Sequence, residues 1–107
     1  MGNILLFNSD GFNDYEFWQT HNKNTLKRIN RLIKQIQRGA PLEGVGKPEK
    51  LKGTKDDFSI RIDQKNRLIF TYVKIGENKS PLIKACEGHY DHGVSKEKES
   101  VMHIIKI

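Results

Sequence analysis

One segment constrains the fold more than any other. From Leu26 to Ile36 the aliphatic residues Leu26, Ile29, Leu32, Ile33 and Ile36 recur at helical spacing, and Lys27, Arg28, Arg31, Lys34 and Arg38 take the opposite face. Gly39 and Pro41 stop this helix. Its five aliphatics match what one helix needs to cover a β-sheet. A basic amphipathic helix lying on a membrane is the alternative. Core packing inside with polyanion contact outside is the simpler combination.

The rest of the chain supplies that sheet. Ile4 to Phe7 reads as a short buried strand. Ser9 or Asp10 then caps a first helix, on which Phe12, Tyr15 and Trp18 recur at three-residue spacing as core. Base stacking by these rings is the weaker reading, because nothing basic is interleaved with them. Leu42 to Thr54, rich in Gly, Lys and Pro, reads as a surface loop. Phe58, Ile60 and Ile62 alternate with Ser59, Arg61 and Asp63 as a half-buried strand. Gln64 to Asn66 turns, Arg67 to Val73 returns, Gly76 to Pro81 turns again, and Leu82 to Glu87 forms a third strand. The expectation is an α+β domain: an N-terminal strand at the sheet edge and two helices packed on an antiparallel sheet.

At 107 residues the chain suits one domain, and its net charge of +6 is unevenly spread. Residues 1–20 hold three acids and no Lys or Arg; residues 21–55 hold ten basic side chains against Glu43 and Glu49, a surplus of eight. A field of that sign attracts polyanions, of which nucleic acid is the commonest in the cytosol, although a solvated helix face would read the same way. No stretch approaches the ~18 apolar residues of a membrane span. The start of the chain lacks the basic region and cleavage site of a secretory signal, and Leu6 stands where a myristoylation motif needs Ser or Thr. A single Cys86 closes no intrachain disulfide, so the expected location is cytoplasmic.

Several polar groups could carry chemistry. If the turn after Asp63 has three residues, Asp63 opposes Arg67 and Ile62 opposes Leu68, so Arg61 and Arg67 share a sheet face; a four-residue turn would split them. Two such arginines can hold a phosphate, or can be solvent-facing charge or partners of Asp63. The loop 43–52 places Glu49, a candidate general base, among Lys47, Lys50 and Lys52. Gly88-His89-Tyr90 supplies an imidazole able to donate a proton near neutral pH and a ring able to stack on a base. Cys86, His89 and His92 also have a spacing compatible with zinc, but a closed site needs four ligands and only Asp91 and distant His103 remain. The expectation is no metal and no cofactor.

Six segments in one order resemble a known family: Asp14 to Trp18, Ile29-Asn30-Arg31-Leu32-Ile33-Lys34, the Gly-Lys-Pro-Glu loop ending in Glu49-Lys50-Leu51-Lys52, Phe58 to Ile62, Asn66 to Phe70 and Ala85 to Tyr90. They are similar to the YoeB/Txe branch of the RelE toxin superfamily, over about residues 3–90. The resemblance implies a microbial-RNase-like fold and the toxin of a type II toxin–antitoxin system, an mRNA endonuclease working in the ribosomal A site. By position, Glu49 corresponds to the general base, Arg61 and Arg67 to the phosphate-binding arginines, His89 to the general acid and Tyr90 to a substrate-orienting ring. Lys27, Arg28, Arg31, Lys34, Lys47, Lys50 and Lys52 are the expected RNA and ribosome contacts. The implied partners are a cognate acidic antitoxin, the ribosome with its mRNA, operator DNA through the antitoxin complex only, and a second copy of the chain.

Two alternatives stay open. A noncatalytic basic module would stall translation with intact mRNA, and a chain acting mainly as half of a repressor would have its basic face covered by antitoxin. The family domain spans residues 1–90. Members of the family finish near the His-Tyr pair, whereas this chain continues from Asp91 to Ile107 as an extension that covers the site, pairs as another strand through Val101, Met102, Ile104 and Ile105, or stays disordered.

Overall fold

The computed structural model describes residues 4–88 and the backbone of 103–106. Its elements are β1 (Ile4–Phe7), α1 (Ser9–His21), α2 (Lys23–Ile36), β2 (Glu49–Lys50), β3 (Phe58–Arg61), β4 (Arg67–Ile75), β5 (Asn78–Ala85) and β6 (His103–Lys106). They form one sheet in the order β2-β3-β4-β5-β1-β6. The α+β class and the two helices on a sheet are as expected, with one difference: β1 runs parallel to β5, so the sheet is mixed. β1 is also not at the edge, because β6 pairs antiparallel beyond it, with Leu6 opposite Ile104. Of the fates open to the extension, Ile104 and Ile105 take strand pairing; Val101 and Met102 lie outside the described residues.

The helices form where their ends are satisfied. Asn8, not Ser9 or Asp10, caps α1: it is extended after β1, and its side chain accepts the Gly11 N–H at 2.8 Å, which leaves Ser9 and Asp10 already helical. A Cβ on Gly11 would lie 2.2 Å from the Ile83 carbonyl oxygen, so this glycine lets α1 sit directly on β5. Asn22 closes α1 by donating its N–H to Trp18 and opens α2 by accepting from Asn24 and Thr25. The apolar face of α2 behaves as its spacing predicts, with Ile29, Leu32, Ile33 and Ile36 buried against Leu5, Phe7, Ile60, Leu68, Phe70 and Ile83. The helix stops at Ile36, so Arg38 falls beyond its end.

Two turns differ from expectation. Gly76 and Glu77 alone join β4 to β5, and Pro81 lies inside β5, one residue before its pairing to β1 begins at Leu82. Between β3 and β4, Arg61 rather than Asp63 opposes Arg67, and Ile60 opposes Leu68. The connection is longer because the Asp63 carboxylate accepts the Lys65 and Asn66 backbone N–H groups at 2.8 and 2.7 Å, closing a local turn. β3 gives up Ile62 and Asp63 to the turn while β4 still begins at Arg67, a slip of two residues, so the two arginines keep the same parity and the same face.

The second sheet face carries its own small cluster, Leu51, Ile69 and Ala85. It is partly roofed by the 51–57 segment, whose buried Asp57 takes an ion pair from Lys84 at 2.8 Å. Within the segment expected to be loop throughout, Glu49 and Lys50 pair with Ser59 and Phe58 as a two-residue edge strand.

Candidate active site on the open sheet face

Register places the polar candidates before any side chain is considered. Glu49 opposes Ser59, Ser59 opposes Ile69, and Ile69 opposes Ala85, a row crossing four strands on the face away from the helices. One pleat further along, on the same face, stand Arg61 and Arg67. Their backbone N–H groups point away from each other: Arg61 donates to Gly46 O at 2.7 Å and Arg67 to Gly88 O at 2.9 Å. They are therefore a non-hydrogen-bonded pair, whose Cα atoms approach to about 4.5 Å. Buried Ser59, Ile69 and Ala85 make a firm floor beside them.

Across this row the order is the Gly46–Glu49 loop, Arg61, Arg67 and Gly88, the residue before His89. Glu49 is exposed and its carboxylate makes no hydrogen bond or ion pair among the described residues. Neither arginine is in an ion pair there, because the Asp63 carboxylate is taken up by its own turn. One Arg67 amino group donates to the Asp63 and Asn66 carbonyls at 2.7 and 3.1 Å, which holds the half-buried guanidinium in place and leaves its other N–H groups free. The anchored Arg67 and the exposed Arg61 can bind a phosphodiester, and the unpaired carboxylate on their face can accept a proton next to it.

The other expected residues divide. His89 and Tyr90 lie outside the described residues, as does His92. Cys86 is fully buried on the helix side with Sγ 3.9 Å from Gly11 O, and burial pushes its thiol well up from its ordinary value. That is a structural cysteine, not an available metal ligand. Lys47 and Lys52 are exposed in the loops around β2, and Lys50 Nζ donates to the Lys55 carbonyl. Lys27, Arg31 and Lys34 form an exposed stripe along α2, behind the sheet and away from Glu49. Arg28 is not in that stripe: its guanidinium reaches the Ile62 and Arg61 carbonyls at 3.3 and 3.4 Å and ties the end of β3 from behind.

Supporting residues were less visible in the sequence. Gln35 fixes the Glu49 loop, its amide bonding Glu43 O, Val45 O and Val45 N at 3.0–3.2 Å. Asn66 Oδ1 accepts the Gly88 N–H at 2.9 Å. The Asp63-x-x-Asn66 spacing is a turn signal that could have been read; nothing local marks Gln35.

Comparison with known proteins decides the family. A model of the YoeB-like toxins of bacterial type II toxin–antitoxin systems matches residues 7–90. The chain belongs to this family. Toxin YoeB of Escherichia coli K12 is 40% identical over 87 residues, covering 80% of this chain and 98% of that one. A structure of a YoeB dimer from Staphylococcus aureus superposes with a TM-score of 0.68 at 40% identity, over 78% of this chain and 93% of that one. A YoeB–YefM complex from the same organism gives 0.67 at 40% identity with the same coverage. As a YoeB-like toxin, this chain carries β6 beyond the matched region. Among the described residues no helix is long and apolar enough to cross a membrane.

Proposed function

We propose that this toxin is an endoribonuclease that cuts mRNA in the ribosomal A site. The observation that carries the reading is the sharing of one open sheet face by Glu49, Arg61 and Arg67. RNA brings its own nucleophile: Glu49 takes the proton of a 2′-hydroxyl, which attacks the adjacent phosphorus. Arg61 and Arg67 offset the charge growing on the phosphorane, and His89 protonates the departing 5′ oxygen while Tyr90 orients the substrate. The products are a 2′,3′-cyclic phosphate and a 5′-hydroxyl end, and no step draws on a metal or cofactor. Lys47, Lys50 and Lys52 contact RNA at the site, and Lys27, Arg31 and Lys34 dock ribosomal RNA from the other side, so the ribosome holds the mRNA in line.

The same face, with Glu49 and Arg61 exposed, calls for a partner that silences it. A cognate acidic antitoxin covers it, as the YoeB–YefM pairing of the S. aureus relative suggests, and operator DNA is reached only through that complex. A homodimer follows from the dimeric relative. These partners place the work in the cytoplasm.

The test is mRNA cleavage on programmed ribosomes by Glu49→Gln and His89→Ala. Each should lose ~10²- to 10⁴-fold in rate while still binding ribosomes. Undiminished cleavage by both removes the mechanism, and stalled translation with intact mRNA from the unmutated chain points to the noncatalytic module instead.

A further inference from the structure

The floor of the open face holds one polar group that no bond within the protein uses. Ser59 lies between Glu49 and Ile69 in the row across the sheet and is 3% exposed. Its hydroxyl makes no hydrogen bond among the described residues. No side-chain oxygen sealed from solvent goes unpartnered among those residues, so the Ser59 oxygen keeps an opening onto the face. Buried hydroxyls normally find a partner, because losing water without a replacement is costly. Thr71 follows that rule by donating to the Asp56 carbonyl at 2.8 Å, and Asp57 by pairing with Lys84. Ser80, also buried, does not, but it opposes Val73, roughly 20 Å along β4 from Arg67.

Position gives the Ser59 hydroxyl its use. Residues directly opposite on one sheet face have Cβ atoms about 4.5–5.5 Å apart, which sets Ser59 beside Glu49. Residues two apart along a strand are separated by about 6.5–7 Å, which sets it one pleat from Arg61. An attacking oxygen must stand about 3–3.5 Å from the phosphorus that Arg61 and Arg67 hold, and within reach of the Glu49 carboxylate. Those two conditions put it over Ser59. Ile69 and Ala85, the rest of the row, offer that oxygen nothing polar.

We propose that the Ser59 hydroxyl binds the ribose 2′-hydroxyl at the cleavage point, making Ser59 a catalytic residue and the one that tells RNA from DNA there. The inference rests on the endoribonuclease reading above. Before reaction the two hydroxyls share a hydrogen bond. As Glu49 takes the 2′ proton and the electron pair of that oxygen goes to phosphorus, Ser59 Oγ–H donates to the 2′-oxygen and offsets its growing charge. Ser59 keeps its own proton throughout. RNA thus supplies the partner that the folded chain does not.

Two assays on programmed ribosomes test this, with Ser80→Ala as the matched loss of a buried hydroxyl outside the site. In single turnovers Ser59→Ala should cut about 10²-fold more slowly than the unmutated chain, and Ser80→Ala at full rate. Each removes a hydroxyl with no partner among the described residues, so both should melt at or above the unmutated temperature. A rate loss in Ser59→Ala that comes with a lowered melting temperature would make Ser59 a packing residue and overturn the proposal. The second assay measures binding in the Glu49→Gln background, which leaves the mRNA uncut. With Ser59 present, replacing the 2′-hydroxyl at the cleavage point by hydrogen should weaken binding about three- to tenfold, and Ser59→Ala should remove that preference. Full-rate cleavage by Ser59→Ala, or the same 2′ preference with and without its hydroxyl, overturns the proposal and leaves the enzyme reading standing. Undiminished cleavage by both Glu49→Gln and His89→Ala removes that reading itself, whatever Ser59 does.

Discussion

Gly46 is where one methyl group should separate the site from the rest of the fold. Its φ of +88° costs an L-residue about 1 kcal/mol or more, and its carbonyl takes the Arg61 N–H at 2.7 Å. A Cβ there would lie 2.4 Å from Ile60 Cγ2 and 3.0 Å from the Arg61 carbonyl oxygen. Carbon atoms rest at about 3.5–4.0 Å, and Ile60 is fully buried, so its methyl cannot swing into solvent. Either the core gives way, at about 1–3 kcal/mol, or the loop lifts and loses the Arg61 bond, at about 0.5–1.5 kcal/mol. With the backbone strain, Gly46→Ala should destabilise by roughly 2–4 kcal/mol, about 8–16 °C in Tm for a domain of this size.

Gly39 is the matched control. Its φ is +87°, and nothing lies within 4 Å of the added Cβ, so Gly39→Ala should show the strain alone, about 1 kcal/mol or 4 °C. Calorimetry of the two variants measures the difference. Cleavage on ribosomes should separate them further: Gly46 is three residues from Glu49, and a displacement of about 1 Å at a reacting group costs on the order of 10²-fold, whereas Gly39→Ala should cut normally. Equal melting and equal cleavage for the two variants would refute the argument that close approach to Ile60 fixes this loop.

Further outcomes follow from the same physics. The Asp14 carboxyl, raised by burial to about 6 from 3.8, makes the folded chain bind more protons between those values, so its contribution to stability grows as pH falls through 6 towards 4. Subtracting the Tm–pH curve of Asp14→Asn should isolate that slope; parallel curves would deny it. Neutralising Lys27, Arg31 and Lys34 together to Gln should flatten the log–log salt dependence of ribosome binding by about 2–3 units without changing cleavage of bound mRNA, and an unchanged slope rules out docking by this stripe. Ending the chain at Tyr90 should speed amide exchange in β1 on the side that β6 pairs; unaltered exchange would mean that β6 adds no protection.

What could be read from the sequence was what repeats locally. The α2 stripe, the period-two run at Phe58–Ile62 and the apolar start are periodic, and each appears as the element expected. The face shared by Arg61 and Arg67 was reached by parity even though the turn length was wrong, since a slip of two residues along β3 preserves it. The parallel pairing of β1 with β5 was not legible, because it joins distant segments that carry no common signal. Nor was the division of the basic helix, where Arg28 serves β3 rather than solvent; a lysine or arginine has the same appearance in a sequence whether it meets a phosphate or a carbonyl.

The β1–β5 pairing also sets an order of events during synthesis. The first strand made must wait for Leu82 and Ile83, near the end of the matched region, before it can be incorporated, whereas the arginine hairpin closes between neighbours in the chain. While those last residues are still inside the exit tunnel, the growing polypeptide has its two guanidinium groups but an unfinished sheet and no tether for Gly88. The sheet is therefore completed, and Gly88 tied to Asn66 and Arg67, only once the end of the matched region has emerged.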